Sequence, residues 1–115
     1  MNYNMTLFEE PFNMIKDKKK VIEVRLNDEK RKSINVGDLI TFHKLPHKEE
    51  KIDVEVLNKY EFKTFEQLYN NFDFSLFGCN GYSMQSMIDE TYNIYTKEQE
   101  EKYGVLGIRI KLIKK

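Results

Sequence analysis

The sequence is poor in the residues that staple, break or anchor a chain. Its 115 residues include one cysteine, two prolines, five glycines, no tryptophan and no alanine. A lone cysteine excludes a disulfide framework and fits a reducing, cytoplasmic setting. Charged residues make up 33% of the chain, and no stretch approaches the ~18 consecutive apolar residues of a membrane helix. The first ten residues lack the basic and apolar regions of a secretion signal. No repeat, Pro-rich linker or low-complexity tract divides the sequence. These absences predict one cytoplasmic domain over residues 1–115, long enough to bury a hydrophobic core without disulfides or metal. No membrane partner is expected, and nothing resembles an obligate interface, so a monomer is expected.

An excess of one charge is also absent, since 19 Lys and Arg balance 19 Asp and Glu. Binding along a long polyanion needs surplus cations, so the total argues against it. The charges are nevertheless segregated. Residues 16–32 carry eight positive and four negative side chains, residues 102–115 five positive and none negative, and residues 61–101 two positive and eight negative. A local basic site therefore remains compatible with neutrality.

What the chain does have is period. Phe8, Phe12 and Ile15 recur at helical spacing, with Glu9 and Glu10 at the start and Lys16 and Lys18 at the end, as the helix dipole favours. Lys20 to Leu26 reads as a strand with Ile22, Val24 and Leu26 on one face and Val21, Glu23 and Arg25 on the other. Further strands are expected at Asn2 to Leu7, at Leu39 to Lys44 after a Gly37 turn, around Ile52, Val54 and Val56, and at Leu106 to Leu112. Thr64 with Gln67, Ser83, and Thr96 with Gln99 mark helix starts, and Gly104 a helix stop. Met84, Met87, Ile88 and Tyr95 form an inward stripe after Ser83. The expectation is an α+β domain of four or five short strands with three helices, the strands closing into a small barrel or strongly bent sheet.

Three possible chemistries fall away. The five glycines make no phosphate-binding fingerprint. His43 and His47 have no partners at metal-site spacing. Cys79 has no nearby histidine and reads as a small packing residue. No metal and no cofactor are expected.

The stretch Lys16 to Leu26 is different, because a lysine cluster runs straight into a strand carrying Glu23 and Arg25. Side chains two residues apart on a strand start about 6.6 Å apart and converge beside it. Lys18, Lys19 and Arg25 near Lys20 would disfavour its ammonium form and make it a usable base or nucleophile. Glu23 could shuttle a proton and Arg25 hold an anion. The same spacing also fits a solvated face of cross-strand ion pairs, the commoner use of such residues. Lys20 lies at the helix-to-strand junction, so its direction is open.

Several motifs occur in order: Pro11-Phe12, Ile15-Lys16, Lys18-Lys-Lys-Val-Ile-Glu-Val-Arg-Leu-Asn-Asp-Glu-Lys-Arg31, Val36-Gly-Asp-Leu-Ile-Thr-Phe42, and Tyr95-Thr-Lys-Glu-Gln-Glu-Glu-Lys-Tyr-Gly-Val-Leu-Gly-Ile108. This pattern resembles the ASCH domain family of the PUA-like superfamily, in a small prokaryotic single-domain branch. The common form has Gly where this chain has Lys18. The resemblance implies a PUA-like small β-barrel with flanking helices and a cleft beside the motif strand, where RNA or nucleotides have been proposed to bind. One bacterial branch hydrolyses N4-acetylcytidine with a Lys, a Thr and a distant Glu. The Lys matches Lys20, the Thr position holds Glu23, and residues 61–90 offer no secure equivalent of the distant Glu.

Two functions follow as expectations. In the first, the domain binds RNA or a nucleoside or nucleotide in a cleft lined by Lys20, Glu23 and Arg25. Lys16, Lys18, Lys19, Lys30, Arg31 and Lys32 would contact phosphate, Asn27 and Asp28 base edges, and Tyr103, Tyr60, Phe62 or Tyr82 would stack. In the second it is a hydrolase, acting on an N4-acetylcytidine-like nucleoside or as a ribonuclease, with Lys20, Glu23 and Arg25 as the catalytic set. The acidic residues 61–101 read as helices keeping their charge in water, with protein interaction as the alternative.

Overall fold

The computed structural model describes residues 1–114. Five strands form one sheet: β1 (Asn2–Leu7), β2 (Ile22–Leu26), β3 (Leu39–Lys44), β4 (Lys51–Phe62) and β5 (Val105–Lys114). The spatial order is β1-β3-β4-β5-β2, with β1 parallel to β3 and the other pairs antiparallel. Between them lie α1 (Glu9–Lys16), the single turn α2 (Glu29–Lys32), α3 (Phe65–Asn70), a 3₁₀ turn (Phe74–Phe77), α4 (Met84–Thr91) and α5 (Lys97–Tyr103).

Alternation does most of the folding work. Tyr3, Met5 and Leu7, then Ile40 and Phe42, then Ile52, Val54 and Val56, then Leu106, Ile108 and Ile110 all turn into one core with Phe12 and Ile15 of α1. Each such side chain contributes roughly 1.5–3 kcal/mol on burial. The register of β4 on β5 shifts between Asp53 and Val54 and again between Val56 and Asn58. Such bulges bend a strand and sharpen its twist, and the sheet curls into a half-barrel as expected. A second core lies outside the curl, where Ile22, Leu26 and Val105 meet Phe65, Leu68, Tyr69, Phe77 and Met87 of the helical layer.

The curl leaves β1 and β2 as the two free edges, and side chains bridge them. Arg25 Nη2 on β2 donates to Thr6 O on β1 at 2.8 Å, and Lys30 Nζ on α2 donates to Asn4 O at 3.0 Å. These donors satisfy outward carbonyls that would otherwise present an open strand edge.

The expected caps are in place. Thr64, Ser83 and Thr96 accept from the backbone N–H three residues on, and Thr96 with Gln99 completes a capping box. Several details differ from the sequence reading, which expected three helices where the described residues form five α-helical segments, α2 being a single turn. The motif strand begins at Ile22 because Lys18 to Lys20 are held in a turn. Phe8 precedes the first helical residue and stays 63% exposed instead of joining the α1 stripe. Tyr95 follows α4 in a loop and stacks on Phe65, with centroids 5.5 Å apart.

One carboxylate of the acidic segment is not solvated. Glu100 is buried, with Oε2 accepting from Phe65 N at 2.7 Å and Oε1 from Tyr92 Oη at 2.7 Å. It therefore ties the start of α3 to the loop after α4. Glu100→Ala should cost about 1.5–3 kcal/mol in urea denaturation, the range for hydrogen bonds to a charged group. Glu101→Ala, at an exposed neighbour, should stay within about 0.5 kcal/mol. Equal losses from the two variants would contradict the assignment.

Candidate functional site

The site lies at the seam of the half-barrel. In an antiparallel ladder, directly paired residues share a face. Glu23 pairs with Ile108 and Arg25 with Leu106, and both partners belong to the inner core. The two charged residues therefore occupy the concave face where apolar side chains would be routine. Their side chains are 4% and 13% exposed, so this is not a solvated ion-pair face.

Lys20 reaches the same point by way of its turn. Lys18 adopts a left-handed φ of 63°, and the N–H groups of Lys19 and Lys20 both donate to Met14 O, at 2.8 and 3.1 Å. The conformation is the one glycine favours at a helix end. It delivers Lys20 Nζ to within 2.8 Å of Glu23 Oε1, while Arg25 Nε donates to Glu23 Oε2 at 2.7 Å. The neighbour of the Lys20 ammonium is thus a carboxylate, where the sequence led us to expect other cations. Burial pushes the Glu23 carboxyl up, but Lys20 and Arg25 override this and hold it at about 2. Glu23 is a fixed anion at neutral pH and serves as an acceptor.

These three residues line a cleft of about 370 Å³. One wall is Thr6, Leu7 and Phe8 at the end of β1 with Glu10, Pro11 and Met14 of α1; the other is Tyr69, Phe77, Cys79, Met87, Glu90, Thr91 and Tyr95 from the helical layer, with Tyr82 and Ile94 also at the lining. Thr91 Oγ1 donates to Met87 O at 2.7 Å, so the Tyr69 hydroxyl must donate in their 2.7 Å contact. Burial pushes the Tyr69 phenol up to about 12 and also raises Tyr95, which lies beside Arg25 and Glu23. Burial raises the Cys79 thiol as well, against the opposing influence of Lys20. Both phenols and the thiol are therefore neutral hydrogen-bonding or packing groups at pH 7.

The other residues singled out from sequence lie elsewhere. Lys18 and Lys19 are exposed on the turn and do not line the cleft. Asp28 and Arg31 pair with each other at 2.9 Å. Asn27 and Tyr103 line a separate shallow depression with Phe62 and Lys63. Tyr60 and Phe62 pack on Phe72. Of the stacking candidates only Tyr82 is at the cleft, joined by Phe8 and Tyr95. Phe8 carried a legible signal: Pro11 lacks an N–H and suits only a first helical turn, so Phe8 could not lie inside that helix. Among the described residues no group of three or more His, Cys, Asp or Glu is arranged to hold a metal ion.

Residues 5–114 match the ASCH domain family. The chain is similar to the crystal structure of hypothetical protein PH0355, with 32% identity and a TM-score of 0.87 over 98% of this chain and 100% of that one. It is also similar to the solution structure of protein PF0455 from Pyrococcus furiosus, with 32% identity and a TM-score of 0.78 over 98% of each chain. No curated protein matches the chain.

Two measurements check this geometry. The Glu23 carboxyl lies lower in the fold than its ordinary 4.5, so its stabilisation is complete above that pH and is lost as pH falls toward 2. Glu23→Gln leaves two cations without a counter-charge and should cost about 3 kcal/mol at pH 7. The gap from wild type should shrink below pH 4.5, and a gap independent of pH would contradict the ion triad. At the turn, Lys18→Gly should raise stability by about 0.5–1 kcal/mol, because glycine escapes the left-handed penalty but loses chain entropy. A destabilised variant in thermal denaturation would contradict the assigned turn.

Proposed function

The chain belongs to the ASCH domain family, whose PUA-like fold is often linked to RNA binding, and on that premise we propose that its seam cleft holds one nucleobase or nucleoside, free or presented by single-stranded RNA. The observation that carries the reading is the buried Lys20–Glu23–Arg25 cluster at the floor of a cleft walled by aromatic and aliphatic side chains. A cleft of about 370 Å³ is of the size and mixed polarity usual for one small ligand. Glu23 offers acceptor capacity to ring or exocyclic N–H groups, and the Lys20 ammonium offers donors to carbonyls. Tyr82 and Tyr95 supply faces or edges for a planar ring.

A second reading, hydrolysis of an acylated nucleoside or of RNA, draws on the 2.8 Å contact between Lys20 and Glu23, which gives a proton donor and an acceptor side by side. In that reading Glu23 accepts the proton of the attacking water or ribose hydroxyl as its oxygen bonds to the acyl carbon or the phosphorus. Lys20 gives a proton to the departing nitrogen or oxygen and regains one from Glu23, and Arg25 steadies the developing negative charge.

The test is a titration of the folded protein with free nucleosides, N4-acetylcytidine included, and with short single-stranded RNA, following backbone amide resonances and reaction products together. Saturable shifts should centre on Lys20 to Leu26 and Thr91 to Tyr95, and Lys20→Ala should weaken binding by about tenfold or more. Binding unaffected by Lys20→Ala, or shifts centred elsewhere, would place the ligand outside this cleft. Product formation that Lys20→Ala abolishes would favour the hydrolase.

A further inference from the structure

The cleft contains more negative than positive charge, although the motif beside it is rich in lysine. Its charged lining residues are Lys20 and Arg25 against Glu10, Glu23 and Glu90. Both cations are already paired with Glu23, and Arg25 Nη2 also donates to Thr6 O. Glu10 on α1 and Glu90 on α4 are exposed and form no side-chain hydrogen bond or ion pair among the described residues. They stand on opposite walls yet act on the same groups. Glu90, the largest influence, and Glu10 both raise the Tyr82 phenol, and both also raise the Cys79 thiol. Around them the mouth is apolar, with Phe8 and Ile94 each 63% exposed and Tyr82 37%. An isolated exposed apolar residue needs no explanation. Three from separate segments at one cleft mouth form flat surfaces for a planar group.

Resting on the reading of this cleft as a base-binding site, we infer that it admits the uncharged or cationic part of its ligand and turns away phosphate, with Glu10 and Glu90 as the residues that impose the choice. A ring entering between Phe8, Tyr82 and Ile94 passes two carboxylates that accept from amino groups and attract a positively charged heterocycle. A phosphate on the same path passes both carboxylates and meets floor cations whose charge Glu23 already offsets. A nucleoside or a cationic, alkylated base therefore binds better than its 5′-phosphate, and RNA enters by an unpaired base with its backbone outside.

The experiment uses three planar probes of one size and different charge: benzamide, benzamidinium and benzoate, titrated at low ionic strength against the amide resonances of Lys20 to Leu26. Benzamide and benzamidinium should bind, and benzoate should bind more weakly by about tenfold. The double variant Glu10→Gln, Glu90→Gln, at exposed positions without side-chain bonds, should keep the wild-type circular dichroism and bring benzoate to within about twofold of benzamide. Raised salt should narrow the wild-type gap. Benzoate binding as tightly as benzamide, a gap unchanged in the double variant, or no shift from any probe would overturn the inference. Uridine, cytidine, adenosine and their 5′-monophosphates, titrated in parallel, separate it from the reading on which it rests. Charge order among the benzene probes without nucleoside binding would sink the base-binding reading alone. Nucleosides binding no better than their monophosphates would sink the charge selection alone.

Discussion

A carboxylate taken out of water stays ionised only where cations replace its lost hydration, and the site depends on Glu23 meeting that condition. Lys20 reaches one of its oxygens and Arg25 the other. The guanidinium then extends to Thr6 O on the opposite edge of the curled sheet, so one side chain both neutralises the carboxylate and spans the gap between β1 and β2. Charge balance, the closing of the seam and the shape of the cleft floor are consequently one arrangement. An apolar cluster of similar volume would hold such edges together at least as well. These charges stand on the face carrying Leu106 and Ile108 in the neighbouring strand, which is why the seam is the site we propose.

The basic stretch of residues 16–32 takes on a different character in three dimensions. Lys16 bonds to Glu50, Lys30 to the Asn4 carbonyl and Arg31 to Asp28. Cations that suggested a phosphate-binding strip are in large part fasteners, tying α1 to the β3–β4 loop and α2 to β1 and closing the first turn of α2. Neutrality of the whole chain is matched by local pairing, and the cleft itself carries an excess of carboxylates.

Much of the fold was legible because alternation and capping are local. The five strands follow from Tyr3, Met5 and Leu7, from Ile52, Val54 and Val56, and from their equivalents. Thr64, Ser83 and Thr96 announce the helices they cap. The shared face of Glu23 and Arg25 was readable from spacing, but the direction of Lys20 was not, because it depends on the left-handed turn at Lys18. The rest depended on information no single segment holds. Glu23 turns into the core because its partner across the ladder is Ile108, some eighty residues away. The helical wall of the cleft, with Tyr95, Thr91 and Glu90, comes from a segment far from the motif strand. Glu100 looked like one acid among several, although α5 offers only Tyr103 as an apolar residue and Glu100 lies on the same helical face three positions earlier.

The strand order has a consequence for how the site comes into being. β5 lies between β4 and β2, yet of the five strands it leaves the ribosome last. Until it arrives, β2 has no neighbour in the sheet, and Glu23 and Arg25 belong to an unpaired segment free to sample water. Contacts of such long sequence separation form late and at high entropic cost. The β1–β3–β4 portion can begin to pair beforehand, whereas the cleft floor cannot form. Insertion of the last strand is thus the event that creates the cleft, and a nascent chain halted before it would have three of the five strands and no cleft floor.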